Sequence, residues 1–198
     1  IRFDHVPPVT KPKSNASPEE GKAYRQQCRT ENLSTAGVAA IVQTRQRLDQ
    51  ELQGHDRLLI TNVDASYCNR TVLKGLPDRT VLIGRIRKDA KLFHLPTPQD
   101  QQPRGTQRLY GQPAPTPDAL RQDETTPWQE VRAFAAGKLH TFRVKTIAPV
   151  LWAKAGPQRP LRLLVIAPVG YRLRAGARLL YRQPAGRGQR IDAVSKQA

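Results

Sequence analysis

The run Arg57-Leu58-Leu59-Ile60-Thr61-Asn62-Val63-Asp64 decides how this chain folds. Positions 57–63 have the length and the Leu/Ile/Val content of a buried β-strand, and an acid follows directly. Next, positions 71–76 hold one or two helical turns, which Pro77-Asp78 breaks. Thr80-Val81-Leu82-Ile83-Gly84-Arg85-Ile86 then reads as a second strand. Strand, helix and strand in that order make a βαβ unit, which predicts a parallel pair within an α/β sheet.

Upstream of this unit the period is helical. Ser17-Pro18-Glu19-Glu20 supplies a capping hydroxyl, a proline suited to the first helical position and two acids at the positive end of the dipole. That helix is expected to run to about Cys28 or Thr30. A second start sits at Ser34 or Thr35, with Val38, Ile41, Val42 and Leu48 forming an apolar stripe and a stop near Gly54. Residues 1–16 read as an extended lead-in. Downstream, 88–127 is rich in Pro, Gln, Thr and Asp without a sustained period, so an exposed, mobile insertion or linker is expected. Residues 128–184 look β-rich, with strands expected at 131–135, 141–150, 161–167 and 179–182. The chain thus divides into 1–90 (core helices and βαβ unit), 91–127 (insertion or linker), 128–184 (β-rich region) and 185–198 (a basic tail expected to be disordered).

Charge is unevenly placed along this order. The 198 residues carry 33 Lys and Arg against 16 Asp and Glu, a net of +17. Positions 131–198 hold 14 of those cations and the single acid Asp192, a net of +13, which leaves +4 for positions 1–130. So concentrated a positive field suits a polyanion, because each phosphate that is neutralised releases condensed counterions. No stretch approaches 18 uncharged apolar residues, which argues against a membrane span, and positions 1–14 lack the apolar segment of a signal peptide. Cys28 and Cys68 are two cysteines 40 positions apart, so reduced thiols are expected rather than a disulfide framework or a zinc site. Without a secretory signal, the acceptor patterns at Asn15, Asn32 and Asn69 are chance matches for glycosylation. The chain has no Met and begins with Ile1, the expectation for a processed, truncated or partial chain.

Asp64 is the residue best placed for chemistry. Active sites of parallel α/β sheets gather at the carboxyl ends of strands, and Asp64 ends one. A carboxylate there is a hard oxygen ligand suited to Mg²⁺ or Mn²⁺, and two such ions bridged by acids can drive phosphodiester cleavage. The plainer reading is that Asp64 caps the turn after its strand. Arg85, Arg87 and Lys88 follow the second strand and suit either DNA phosphates or ordinary solvated charge. Trp128, Trp152, Tyr171 and Tyr181 lie among basic residues, where both base stacking and burial are open to them. His5, His55, His94 and His140 show no ligand spacing, and Ser66 has no paired His or Gly-x-Ser-x-Gly elbow.

The stretch Asp64-Ala65-Ser66-Tyr67-Cys68-Asn69-Arg70-Thr71-Val72, continuing through Gly84-Arg85-Ile86-Arg87-Lys88-Asp89-Ala90, resembles the region around the second catalytic aspartate of bacterial insertion-sequence DDE transposases. Similar segments are Glu31-Asn32-Leu33-Ser34, Pro127-Trp128-Gln129, Val150-Leu151-Trp152, the run from Leu161 to Pro168, and Leu180-Tyr181-Arg182-Gln183-Pro184-Ala185. The resemblance spans positions 20–185. It implies a partial RNase H-like mixed sheet with flanking helices and a β-rich insertion. It also implies Mg²⁺- or Mn²⁺-dependent cleavage and transfer of DNA strands at transposon ends, a dimeric synaptic complex, and a cytoplasmic, nucleoid-associated location. Residue by residue, Asp64 alone carries over as a catalytic, metal-ligating position. The family's glutamate lies on a helix with Tyr, Arg and Lys, yet no Glu follows Glu130, and the only later acid is Asp192. The first aspartate falls to Asp4 or to a residue upstream of Ile1. With one carboxylate of three, the expectation is a transposase fragment that does not cleave by itself; the alternative is a non-enzymatic basic nucleic-acid-binding protein.

Overall fold

The computed structural model describes residues 6–101, 105–135, 137–169 and 176–181. Its helices start where local hydrogen bonding favours them. Helix α1 (Pro18–Thr30) opens on a reciprocal cap, in which the Ser17 N–H donates to Glu20 Oε2 at 2.7 Å and the Glu20 N–H to Ser17 Oγ at 3.2 Å. Helix α2 (Leu33–Gln50) starts slightly earlier than Ser34, because the Asn32 side chain takes the N–H groups of both Ser34 and Thr35. It ends before Gly54, which instead opens a short 3-10 turn folded back on the helix. A Cβ at Gly54 would sit 1.6 Å from the Leu48 carbonyl oxygen, so only glycine fits there. The buried guanidinium of Arg45 locks this corner by donating to the carbonyls of Gly54 and Arg57 and to the Asp49 carboxylate, at 2.6, 2.7 and 2.7 Å.

The βαβ unit forms as expected. Strand β1 (Leu59–Val63), helix α3 (Arg70–Gly75) and strand β2 (Thr80–Arg85) follow in order, and the strands pair in parallel from Leu59↔Thr80 to Val63↔Gly84. Strand β1 is not the buried strand its composition suggests. It lies at the sheet edge among the described residues, and Ile60 is 59% exposed. Composition registers an apolar run but not how many strands flank it.

Residues 88–127 depart from the expected exposed linker. Strands β3 (Leu92–Phe93) and β4 (Pro113–Ala114) form a small antiparallel pair, and helix α4 (Pro117–Gln122) follows. Leu92 and Leu120 from this segment are each 1% exposed. Elements this short carry one or two anchoring side chains each, too few to show a period.

The β-rich region continues the same sheet rather than making its own. Strands β5 (Gln129–Ala135), β6 (Lys138–Val150), β7 (Leu161–Pro168) and β8 (Gly176–Tyr181) run antiparallel, and β8 pairs with β2. The result is a mixed α/β architecture whose six-stranded sheet has the order β1-β2-β8-β7-β6-β5. One face packs Leu82, Leu163 and Val165 against Ile41, Val72 and Leu73 of the helices, forming the core. No helix among the described residues is long and apolar enough to cross a membrane. The expected basic tail at 185–198 and Asp192 lie outside the described residues, as does Asp4.

A buried lysine joins the helix α4 segment to the sheet. Lys145, 2% exposed on β6, donates to the carbonyl oxygens of Leu120, Arg121 and Asp123 where α4 ends. The Asp123 carboxylate accepts from the Thr125 N–H and from the hydroxyls of Thr125 and Thr126 at 2.9, 2.6 and 2.6 Å. These bonds, led by the Thr125 and Thr126 hydroxyls, hold its pKa down at about 2 against an ordinary 3.8. A folded pKa below the unfolded one stabilises the fold above the unfolded value, and the effect fades as pH falls through the folded one. Asp123→Ala therefore lowers the melting temperature at neutral pH. Its deficit relative to wild type shrinks as pH falls below 3.8 and is gone only once pH is below the folded value of about 2. A deficit that stays constant down that pH series in thermal unfolding would contradict this reading.

Candidate functional site

The two parallel strands end side by side, and the chain leaves them in different ways. After β1 a 3-10 turn, Ala65–Tyr67, begins at Asp64, and the Tyr67 N–H closes onto the Asp64 carbonyl at 3.0 Å. Asp64 takes the capping position of this turn, but its side chain makes no capping bond to a backbone N–H. Its carboxylate is exposed and accepts a bond from the Ser66 hydroxyl at 3.4 Å.

Behind the turn lies Cys68. Burial is the main cause that pushes its thiol up to about 11, with the Asp64 charge adding to the rise and Lys154 opposing it. The turn sits this close to β2 because residue 84 is glycine. A Cβ there would lie 2.2 Å from Cys68 Sγ and 2.9 Å from Val63 Cγ2.

Beyond β2 the chain runs along a cleft of about 470 Å³. Ala65 and Cys68 line one wall; Arg85, Arg87, Lys91 and Lys154 bring cations, and Phe93 and Trp152 bring rings. Four cations against Asp89, the one acid in the lining, leave a net of +3. Arg87 is partly committed, because its Nε and Nη2 both bond the Asp89 carboxylate at 2.9 Å. That side-chain bonding is the leading cause that holds the Asp89 pKa below its ordinary value.

Of the residues picked out by sequence, Arg85 and Arg87 therefore reach the cleft beside Asp64, whereas Lys88 does not line it. Lys91 and Lys154 belong there and were missed. Lys154 is 90 positions from Asp64, and what delivers it is a backbone exchange between Phe93 and Leu151, at 2.9 and 2.7 Å. The one sequence cue is its place two residues beyond the segment Val150-Leu151-Trp152. Trp152 is buried, with Lys154 Nζ 5.1 Å from its ring centre. Trp128 is half-buried, with Lys145 Nζ and Arg143 Cζ at 4.7 and 5.2 Å from its ring. Trp152 thus follows the burial alternative, Trp128 stays half-buried between two cations, and Tyr171 lies outside the described residues.

No family model, curated protein or solved structure matches this chain.

The site's chemistry is bounded by its donors. Two divalent ions need several oxygen ligands held together. Among the described residues no three His, Cys, Asp or Glu side chains gather into a group that could hold a metal. These residues alone do not fit the Mg²⁺ or Mn²⁺ centre that the transposase resemblance implies. What the site does offer is a basic cleft, lined by Ala65, with the exposed carboxylate of the preceding residue, Asp64, next to it in the chain.

Gly84 is the local constraint on this arrangement. Gly84→Ala should cost about 1–3 kcal/mol by overpacking. The cost should be smaller when Cys68 is already alanine, since the nearest clash is with Cys68 Sγ. Urea unfolding of the four variants measures the coupling, and equal costs in both backgrounds would show that this contact is not the limiting one.

Proposed function

We propose that this chain is part of the RNase H-like core of a DDE transposase and acts on DNA, with Asp64 as one of its catalytic carboxylates. The observation that carries this is a juxtaposition. An exposed, uncapped carboxylate ends a strand of a parallel pair, beside a cleft bearing Arg85, Arg87, Lys91 and Lys154. Strand ends of this kind are where α/β sheets place their sites, and the cations suit the phosphates of a nucleic-acid backbone. The lopsided charge along the sequence points to the same class of ligand. The divalent cation that goes with this reading needs oxygen ligands beyond Asp64. DNA ends would be the substrate, a dimer the working assembly and the nucleoid the setting.

The second reading is a nucleic-acid-binding protein without catalysis. It is favoured by the make-up of the cleft, four cations against the single acid Asp89.

The 198-residue chain should bind DNA with steep salt dependence and leave supercoiled plasmid intact in Mg²⁺ or Mn²⁺. Each cleft cation that meets a phosphate contributes about 0.9 to the slope of log affinity against log salt, so Lys91→Ala with Lys154→Ala should flatten it by nearly two. With DNA bound, Mn²⁺ should broaden the NMR amide signals of Ala65 and Ser66 in the wild type but not in Asp64→Ala. DNA binding without that broadening would favour the second reading, and absence of DNA binding would sink both.

A further inference from the structure

The sheet ends in a projection that neither the cleft nor the core accounts for. Strand β5 pairs with β6 over its whole length, from Gln129↔Val144 to Ala135↔Lys138. Strand β7 joins β6 only from Phe142↔Pro168 onward. Among the described residues, positions 132–135 and 138–141 therefore form a two-stranded ribbon with no third strand beside it. Phe134 is 75% exposed and Leu139 55%, and the two are direct cross-strand partners, so they form one apolar patch. Arg132 pairs with Thr141 on the same face, while Lys138 and His140 occupy the other. Glu130 is the only acid of the two strands. Charges on an edge strand can serve to deter sheet-to-sheet aggregation, but that purpose is ill served by an exposed Phe–Leu pair.

The direction of the ribbon is informative. Strand β2 runs antiparallel to β8, β8 to β7, β7 to β6 and β6 to β5. The carboxyl ends of β1 and β2 and the tip of the ribbon therefore lie at the same end of the sheet. Three strand spacings of about 4.8 Å, roughly 14 Å in all, separate β2 from β6 across the sheet. Through the register Arg85 stands level with Thr146, so Thr141 and Leu139 lie five and seven residues further along, about 17–23 Å at about 3.3 Å each; the ribbon is thus roughly 22–27 Å from Arg85, the axial rise of about six to eight base pairs. A two-stranded ribbon also has the cross-section that the major groove admits, a groove about 12 Å wide and 8.5 Å deep.

We propose that the β5–β6 ribbon is a second DNA-contacting element, which enters a groove of the duplex held at the cleft. Arg132 and Lys138 meet phosphates on either side, and Phe134 and Leu139 press on base or sugar edges. Charge complementarity selects a polyanion over a second copy of this basic chain. The inference rests on the nucleic-acid reading of the cleft, and its test keeps the two apart.

The full chain is titrated into a fluorescent duplex at several KCl concentrations. Three double variants are compared: Phe134→Ser with Leu139→Ser, Arg132→Ala with Lys138→Ala, and Lys91→Ala with Lys154→Ala. The ribbon residues changed are exposed, and circular dichroism checks the fold. The apolar pair should weaken binding about tenfold at every salt concentration with the slope unchanged, a size within the few kcal/mol that base-edge contacts contribute. The charged ribbon pair should flatten the slope by about 0.9 per phosphate lost. Wild-type affinity in both ribbon variants, with loss in the cleft variant, would overturn the ribbon and leave the cleft reading intact. Loss in the ribbon variants alone would uphold the ribbon and overturn the cleft. If the apolar variant instead changes self-association in sedimentation and not DNA affinity, the patch is a contact between copies and the inference fails. A wild-type chain that binds no duplex overturns both.

Discussion

Strand β2 is the member on which the rest of the structure depends, because it pairs in both senses at once. Its Gly84 lies opposite Val63 in the parallel ladder and opposite Leu179 in the antiparallel one. A third element, the turn that carries Asp64 and Cys68, closes onto the same residue from above the sheet. Three pieces of chain thus meet where a single methyl group would collide with two of them. That crowding fixes how near the Asp64 turn sits to the start of the basic cleft, since Arg85 is the next residue along. Position of the candidate site and continuity of the sheet are therefore one constraint rather than two.

The net charge of +17 is not spread evenly over the surface that a ligand meets. Lys145 spends its charge inside the protein, on the carbonyls that end helix α4 and under the Trp128 ring. Arg45 spends its own on the corner between α2 and β1, where Arg79 also reaches the Asp49 carboxylate. The Arg45 bond, foremost, holds the Asp49 carboxyl below its ordinary pKa. Arg87 is shared with Asp89. What remains at the cleft is an exposed set on different segments, Arg85 at the end of β2, Lys91 before β3 and Lys154 after β6. A field assembled from separate segments needs the fold before it exists, and this distinguishes it from a contiguous basic tail.

The sequence made some of this legible and hid the rest for physical reasons. The βαβ unit was readable because Leu59 to Val63 and Val81 to Ile83 are dense in strand formers, with a proline break between them. The helix starts were readable because capping is local: Ser17 and Glu20 lie within one turn of each other. The edge position of β1 was not, since Ile60 looks the same in a sequence whether a neighbouring strand covers it or not. Leu92 and Leu120 were hidden in a Pro- and Gln-rich stretch because burial there depends on contacts across the chain. Lys154 was hidden for the same reason, reaching the cleft only through the Phe93–Leu151 exchange. Asp64 stood out by its place at a strand end and by the transposase resemblance, whereas the lack of a capping bond from its side chain depends on the geometry of the turn that follows it.

Sheet twist adds the last link between the two charged regions. Neighbouring strands rotate by about 20–25°, so three steps from β2 to β6 turn the ribbon by roughly 60–75° relative to the strand that leads into the cleft. The ribbon therefore slants across the carboxyl end of the sheet instead of running parallel to β2. The register and the twist together set the ribbon apart from the cleft, so that the sheet carries two separate groups of cations toward the same end.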